Sequence, residues 1–80
     1  QFDVKLQIAG LNTGYDQVVT RPGGKPWSRS HWYFAAGRLV AVDALNAPRD
    51  YMSGKRWIEA GQTPDRKRLA DPAADLKTLV

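Results

Sequence analysis

Residues 38–60 read RLVAVDALNAPRDYMSGKRWIEA, and this stretch contains a change from strand to helix. Residues 39–42 are apolar at every position, which is typical of an interior strand covered on both faces. The hydrophobic pattern changes from strand-like to helix-like at Asn46. Asparagine is suited to capping a helix, and a proline, which is tolerated in a first helical turn, follows at position 48. The pattern therefore predicts a helix over residues 48–60, ended by Gly61.

A glycine stands in the middle of this predicted helix. Gly54 costs up to about 1 kcal/mol relative to alanine at such a position. A glycine is tolerated there when the helix backbone must approach another element closely. We therefore expect the helix to pack tightly against the sheet at Gly54.

The N-terminal stretch alternates in the manner of a strand. Over residues 2–8, the apolar side chains Val4, Leu6 and Ile8 fall on one face and polar side chains on the other, which predicts a half-buried strand. This strand begins at the second residue, with no cap or turn before it, whereas natural N termini usually have some slack. We therefore expect the chain to be a piece of a longer polypeptide.

Two more strands are predicted between these segments, over residues 15–20 and 27–34. In the latter, Trp32 and Phe34 point to one face, and His31 and Tyr33 to the other. Residues 35–37 then form a short hairpin loop. The sequence predicts a single domain over residues 1–80 of the α+β class: an antiparallel sheet of about four strands, a helix packed on one face and short C-terminal helical turns.

Composition sets limits on the chemistry. The 80 residues carry a formal net charge of +4 and contain no cysteine, which excludes a thiolate nucleophile and a disulfide framework. The absence of cysteine favours a reducing, cytoplasmic setting. No apolar run reaches the roughly 20 residues of a membrane-spanning helix, so we expect no membrane partner.

The candidate catalytic and binding motifs are sparse. His31 is the one histidine, and no second ligand lies at the spacing of a metal site, so no metal site and no catalytic residue are predicted. The aromatic run at residues 32–34 splits between two faces and lacks the pattern of an RNA-binding strand, so we expect no nucleic-acid partner. From the residues alone, a stand-alone basic module for single-stranded nucleic acid or an acidic protein remains the alternative function.

Three stretches carry a resemblance to a known family: QFDVKLQIAGL at residues 1–11, GYD at 14–16 and GRLVAVDALNAPRDYM at 37–52. In order and spacing they resemble the C-terminal domain of FAD-dependent NAD(P)H:ferredoxin reductases of the putidaredoxin-reductase, rubredoxin-reductase and dioxygenase-reductase type. The closing RLADP at 68–72 and LK at 76–77 are similar to the end of that domain.

The resemblance implies an oxidoreductase that passes electrons from NAD(P)H through FAD to a ferredoxin-type iron–sulfur protein. FAD and NAD(P)H would bind to N-terminal domains of the same chain, so we expect no cofactor on residues 1–80 and no activity from this fragment alone. The domain would cap the flavin side of the reductase and contribute to the surface on which ferredoxin docks.

The resemblance also implies the partner-docking residues. Lys55 and Lys77 match family positions that tend to face the ferredoxin, and Arg49 and Arg56 lie on the same predicted helix as Lys55. Ferredoxins are acidic, and a basic rim raises the rate of encounter with such a partner more than it raises affinity.

Overall fold

The computed structural model describes residues 5–11, 13–23 and 26–79. It confirms the predicted α+β class, with one antiparallel sheet in the strand order β1-β4-β3-β2 and the main helix on one face. Two short helical segments follow. The elements are β1 Leu6–Gly10, β2 Gln17–Pro22, β3 Arg29–Ala35, β4 Arg38–Leu45, α1 Pro48–Ala60, α2 Arg66–Leu69 and a 3₁₀ turn Leu76–Thr78.

The bounds of α1 agree with the prediction at both ends. The proline stands at the first helical position, where a missing N–H is no loss. Gly61 ends the helix in the left-handed conformation, with φ of 70°, and its N–H donates to the Ile58 carbonyl at 3.3 Å. The proline and Gly61 each lie within one turn of the helix end that they mark, so both ends could be predicted from the sequence.

The capping role predicted for Asn46 is wrong. The residue that precedes the helix is Ala47, and no side chain caps the helix N-terminus. Asn46 instead adopts a positive φ of 49°, and its side chain joins two distant segments. Its Oδ1 accepts from the Lys5 N–H at 2.7 Å, and its Nδ2 donates to the Trp27 carbonyl at 3.2 Å. The Asn46 side chain therefore links the segments before β1 and β3 and leaves the helix N-terminus uncapped.

The core lies between the sheet and α1, and β3 supplies its centre. Trp32 and Phe34 are fully buried on the α1 side, while His31 and Tyr33 are partly exposed on the opposite face, as predicted. The ring of Trp32 packs against that of Trp57 on α1, with centroids 5.5 Å apart. Trp32 and Trp57 are both buried, and aromatic side chains of this size contribute large apolar areas to a core.

Close approach of α1 to the sheet at Gly54 is confirmed. A Cβ atom added at this position would lie 2.6 Å from Val42 Cγ1 and 2.9 Å from Trp32 Cζ3. Both distances are shorter than atoms tolerate, so the helix can occupy its place only while residue 54 has no side chain. The intrinsic cost of glycine in the helix is offset by the packing of α1 on Trp32.

The predicted burial of the apolar face of the first strand is wrong for this chain. Leu6 is 58% exposed and Ile8 is 56% exposed, whereas Ala9 on the other face packs against the core. Alternation alone identifies two faces and does not say which one the helix covers. A small residue at position 9 admits α1, so the apolar face lies on the outside. Val4 falls outside the described residues.

The predicted interior position of residues 39–42 is confirmed, and Ala41 and Val42, which point to opposite faces of the sheet, are both fully buried. β4 lies inside the sheet, between β1 and β3, and α1 covers one of its faces. No element among the described residues covers the opposite face of the sheet. We call this surface the open sheet face; by strand register its residues are Leu6, Ile8, Gly10, Val18, Thr20, Pro22, Arg29, His31, Tyr33, Ala41, Asp43 and Leu45.

The second strand is displaced from its predicted position by two residues. It was expected over residues 15–20, and β2 runs from Gln17 to Pro22. Residues 21–26 contain two prolines and two glycines, a composition that favours a loop, yet Arg21 and Pro22 continue the strand. β2 is an edge strand, and a proline is acceptable there because one side of an edge strand makes no ladder hydrogen bonds.

Candidate functional site: a basic cleft beside the helix

An open cleft of about 760 Å³ runs between α1 and the segment that ends the chain. Three of the four predicted docking residues line it: Arg49 and Arg56 from α1, and Lys77 from the 3₁₀ turn. All three side chains are exposed. We call this the basic cleft; its remaining lining residues are Arg21, Pro48, Asp50, Met52, Ser53, Pro72, Ala73, Ala74, Asp75 and Leu76.

Helical geometry places the two arginines together. Arg49 and Arg56 are seven residues apart, or about two turns of an α-helix, so they project from the same flank of α1. Lys55 stands one residue earlier than Arg56 and is therefore rotated by about 100° around the helix. It is exposed but does not line the basic cleft. The structure thus brings together Arg49, Arg56 and Lys77 and separates Lys55 from them.

The C-terminal segment contains two short capped turns, and the second of them, the 3₁₀ turn, forms part of the other wall of the cleft. Asp65 accepts from the Lys67 N–H at 3.0 Å and so begins α2, and Asp75 accepts from the Lys77 N–H at 3.0 Å to begin the 3₁₀ turn. Each aspartate satisfies a backbone donor that a helix start leaves free. The 3₁₀ turn contacts α1, which carries Lys77 towards the arginines.

Arg21 anchors this wall from the sheet. Its side chain is 7% exposed, and its guanidinium donates to three backbone carbonyls of the C-terminal segment. Nη1 lies 3.0 Å from the Leu69 oxygen and 2.9 Å from the Asp71 oxygen, and Nη2 lies 2.5 Å from the Ala74 oxygen. A planar group with several N–H donors is suited to holding three carbonyls at once. Sequence reasoning missed this residue because its partners are 48 to 53 positions away.

The acidic side chains of the cleft are engaged within the chain. Asp50 accepts from Ser30 Oγ at 2.5 Å, and Ser30 Oγ in turn accepts from Trp32 Nε1 at 2.8 Å. Asp75 caps the 3₁₀ turn. The carboxylates therefore serve local structure, whereas the three cations point into solvent. Such a surface attracts an anionic partner.

The residues that the structure describes form no site for the other candidate chemistries, which are catalysis or metal binding at His31 and base stacking on the aromatic run. His31 contacts Thr20 Oγ1 through Nδ1 at 3.2 Å, and no group of three metal-binding side chains occurs over residues 5–11, 13–23 and 26–79. Within the same ranges, no helix is long and apolar enough to span a membrane. Trp32 and Phe34 lie in the core, so they are unavailable for stacking on bases.

The fold and its cleft define a small α+β domain with a charged surface open to solvent, and the comparison with known proteins identifies the family. The chain belongs to the Reductase C-terminal family, which matches residues 1–80. The resemblance stated from the sequence is thereby confirmed.

Curated relatives agree with this assignment. The chain is 38% identical over 80 residues to a ferredoxin–NAD(P)+ reductase of Sphingomonas sp. It is 40% identical over 81 residues to the ferredoxin reductase subunit of a 5,5'-dehydrodivanillate O-demethylase from Sphingobium sp.. These matches cover 100% and 99% of the chain. In both cases the chain spans 19% of the relative's length.

Solved structures show the same fold. A ferredoxin reductase from Rhodopseudomonas palustris matches 94% of the chain with a TM-score of 0.86 and 35% identity. The covalent putidaredoxin reductase–putidaredoxin complex matches 99% with a TM-score of 0.88 and 28% identity. Each match covers 19% of the solved chain.

Proposed function

We propose that this chain is the C-terminal domain of a flavoprotein reductase that passes electrons from NAD(P)H through FAD to a ferredoxin-type iron–sulfur protein in the cytoplasm. The observation that carries the proposal is the match of the whole chain to one family, with relatives at 38% and 40% identity that are named ferredoxin reductases. The chain spans about a fifth of their length, so the complete polypeptide would be about five times longer.

FAD and NAD(P)H are assigned to the preceding part of that polypeptide. A dinucleotide needs glycine-rich backbone at a helix N-terminus for its phosphates and a largely enclosed apolar slot for its ring. The basic cleft is open to solvent, and Arg21 within it is already engaged by three carbonyls. The described residues do not fit either cofactor, so no step of electron transfer is assigned to them.

We assign to this domain the role of capping the flavin side of the reductase and contributing to the ferredoxin-docking surface, with the basic cleft at its centre. An acidic ferredoxin would approach the rim formed by Arg49, Arg56 and Lys77, with Lys55 on the adjacent flank of α1. Exposed rim charges steer encounter, and their contribution falls as salt screens it. The cations stay exposed in the folded chain and so remain available for this purpose.

Replacing Arg56 by glutamate in the complete reductase tests the docking assignment. We expect Arg56→Glu to lower the rate of ferredoxin reduction by about tenfold at low ionic strength, because it reverses an exposed charge on the rim of the cleft. Reduction of ferricyanide, a small acceptor that needs no docking surface, should be unchanged. The loss should shrink as salt is added.

Lys55→Glu provides the matched comparison, because Lys55 is the neighbouring exposed cation on the same helix. It should also lower ferredoxin reduction and spare ferricyanide reduction, but by less than Arg56→Glu. Arg38→Glu, an exposed change in the β3–β4 hairpin, should leave both rates unchanged. A larger effect from Lys55 would move the docking centre to the other flank. Equal losses with both acceptors would indicate a folding defect and contradict the assignment.

The isolated 80-residue chain gives a separate test of where the cofactor binds. We expect it to purify without flavin absorbance and to show no NAD(P)H-dependent reduction of ferricyanide. A yellow preparation whose flavin absorbance survives gel filtration would place at least part of the cofactor site on this chain.

A further inference from the structure

Met52 brings a long apolar side chain into the basic cleft. It is 57% exposed, and it lies among the residues that line the cleft. The packing of α1 on the sheet does not involve this side chain, because the helix is buried at Gly54 and Trp57 instead. The fold therefore does not require a methionine at position 52, and its role has to be sought at the surface.

Other apolar residues surround Met52 in the same cleft. Pro48 lies one turn earlier on α1, and Pro72 and Ala73 belong to the opposite wall; all three are exposed. Leu76 also lines the cleft and packs against the core. Apolar surface that is contiguous, in contrast to single exposed residues, marks an interaction site. We call this set the apolar lining; its residues are Pro48, Met52, Pro72, Ala73 and Leu76.

The cations of the cleft frame this apolar lining. Arg49 lies three residues before Met52 and Arg56 four residues after it, and residues at these spacings are neighbours on one face of a helix. Met52 therefore lies between two exposed guanidinium groups, and Lys77 lines the cleft from the 3₁₀ turn. An apolar centre with a charged rim is the usual anatomy of a protein–protein interface.

This combination discriminates between possible occupants of the cleft. A small anion would be attracted by the cations but would gain nothing from the methionine. A second copy of the chain is disfavoured, because each copy carries a net charge of +4 and would bring like-charged rims together. A protein surface that presents an apolar side chain between carboxylates can use both features. The flexible, polarizable thioether of methionine packs well against aromatic rings.

We propose that Met52 is the apolar anchor of the docking site: an aromatic or branched aliphatic side chain of the acidic ferredoxin packs against it and the apolar lining. The proposal rests on the function proposed above and adds the residue that retains the partner after encounter. Rim charges act mainly on the association rate, whereas a packed apolar contact at the centre of an interface acts on the dissociation rate.

Met52→Gln in the complete reductase tests this division of roles. Glutamine has nearly the length of methionine but a polar end, so the substitution removes the apolar contact and leaves every charge in place. We expect the ferredoxin that the parent reduces to dissociate about tenfold faster, and its KM to rise about tenfold, with the association rate and kcat unchanged. Stopped-flow binding and steady-state kinetics give these values. The effect should be the same at low and high ionic strength, because salt does not screen an apolar contact.

Two control variants isolate the apolar character of the side chain. Met52→Leu keeps an apolar group and should restore dissociation close to that of the parent. Ala60→Gln places a glutamine at an exposed position of α1 that does not line the cleft, and it should change neither the dissociation rate nor the KM. Ferredoxin that leaves Met52→Gln and the parent at the same rate would overturn the proposal. A loss that disappears at high salt would also overturn it, because the contact would then be electrostatic.

The parent enzyme separates a failure of the anchor from a failure of the proposed function. A parent that reduces ferredoxin, together with a Met52→Gln variant that does so with unchanged KM, would refute the anchor and retain the function. A parent that reduces ferricyanide with NAD(P)H but reduces no ferredoxin would refute both. Unchanged ferricyanide reduction in Met52→Gln should show that the variant is folded and that the loss lies in docking.

Discussion

Gly54→Leu is expected to destabilise the 80-residue chain by about 3 kcal/mol or more, because a side chain at this position has no space to occupy. The first added carbon alone would lie 2.6 Å from Val42 Cγ1 and 2.9 Å from Trp32 Cζ3. The backbone of α1 would have to move away from the sheet, which would open the packing between Trp32 and Trp57. Thermal unfolding followed by circular dichroism should show a melting temperature lower by about 10–20 °C.

Gly54→Ala should fall between the parent and the leucine variant. Alanine gains up to about 1 kcal/mol of helix propensity, and the clash of its methyl group with Val42 opposes this gain. Glu59→Leu is the matched control, since it adds leucine at an exposed position of the same helix, and it should change stability by less than about 0.5 kcal/mol. If the leucine variant melts with the parent, then α1 is not in close contact with the sheet at Gly54.

The features that sequence reasoning predicted well depend on local chemistry. Both ends of α1 were predicted correctly because Pro48 and Gly61 each lie within one turn of the helix end that they mark. The two faces of β3 were assigned correctly because Trp32 and Phe34 differ so strongly from His31 and Tyr33 in their need for burial. In both cases the decisive residues are neighbours in sequence.

The features that sequence reasoning missed depend on contacts between distant segments. Asn46 was expected to cap a helix, yet its side chain binds Lys5, 41 positions away. The apolar face of β1 was expected to be buried. The face that is buried is the one on which α1 packs, and α1 begins 38 residues after β1 ends. Alternation of apolar and polar residues shows that a strand has two different faces. It does not indicate which face another element of the protein covers.

The candidate site was predicted in part, and by resemblance rather than by pattern. The family likeness supplied Lys55 and Lys77, and Arg49 and Arg56 were added because they lie on the same predicted helix as Lys55. Their spatial relation required the structure, because the C-terminal segment folds back beside α1 and brings Lys77 to the two arginines. The residue that holds this segment, Arg21, lies in a stretch whose glycines and prolines suggested only a loop.

Arg21→Met is the second substitution expected to have a large effect. Methionine keeps the apolar stem but leaves the carbonyls of Leu69, Asp71 and Ala74 without their donor. Hydrogen bonds from a charged group are each worth about 1.5–3 kcal/mol, and the segment can recover part of this by moving into water. We expect a loss of about 3 kcal/mol and a melting temperature lower by about 10–20 °C.

Hydrogen exchange should locate this effect. The N–H groups of Ala74, Thr78 and Leu79 donate to carbonyls within the C-terminal segment, and their exchange should accelerate strongly when the anchor is lost. The paired strands β3 and β4 lie inside the sheet and should stay among the slowest to exchange. In the complete reductase, the same variant should slow ferredoxin reduction while sparing ferricyanide, because Lys77 would no longer be held at the cleft.

Two further variants separate the geometry of the guanidinium from its charge. Arg21→Lys keeps the charge, but a single ammonium cannot present the planar fork that reaches three carbonyls, so it should behave much like the methionine variant. Arg66→Met removes an exposed arginine that donates to Gln17 Oε1 at 2.6 Å, and it should cost no more than about 1 kcal/mol. Full stability in Arg21→Lys would show that charge alone holds the segment. An unchanged exchange pattern in Arg21→Met would show that the segment is anchored by Leu69 and Leu79 in the core instead.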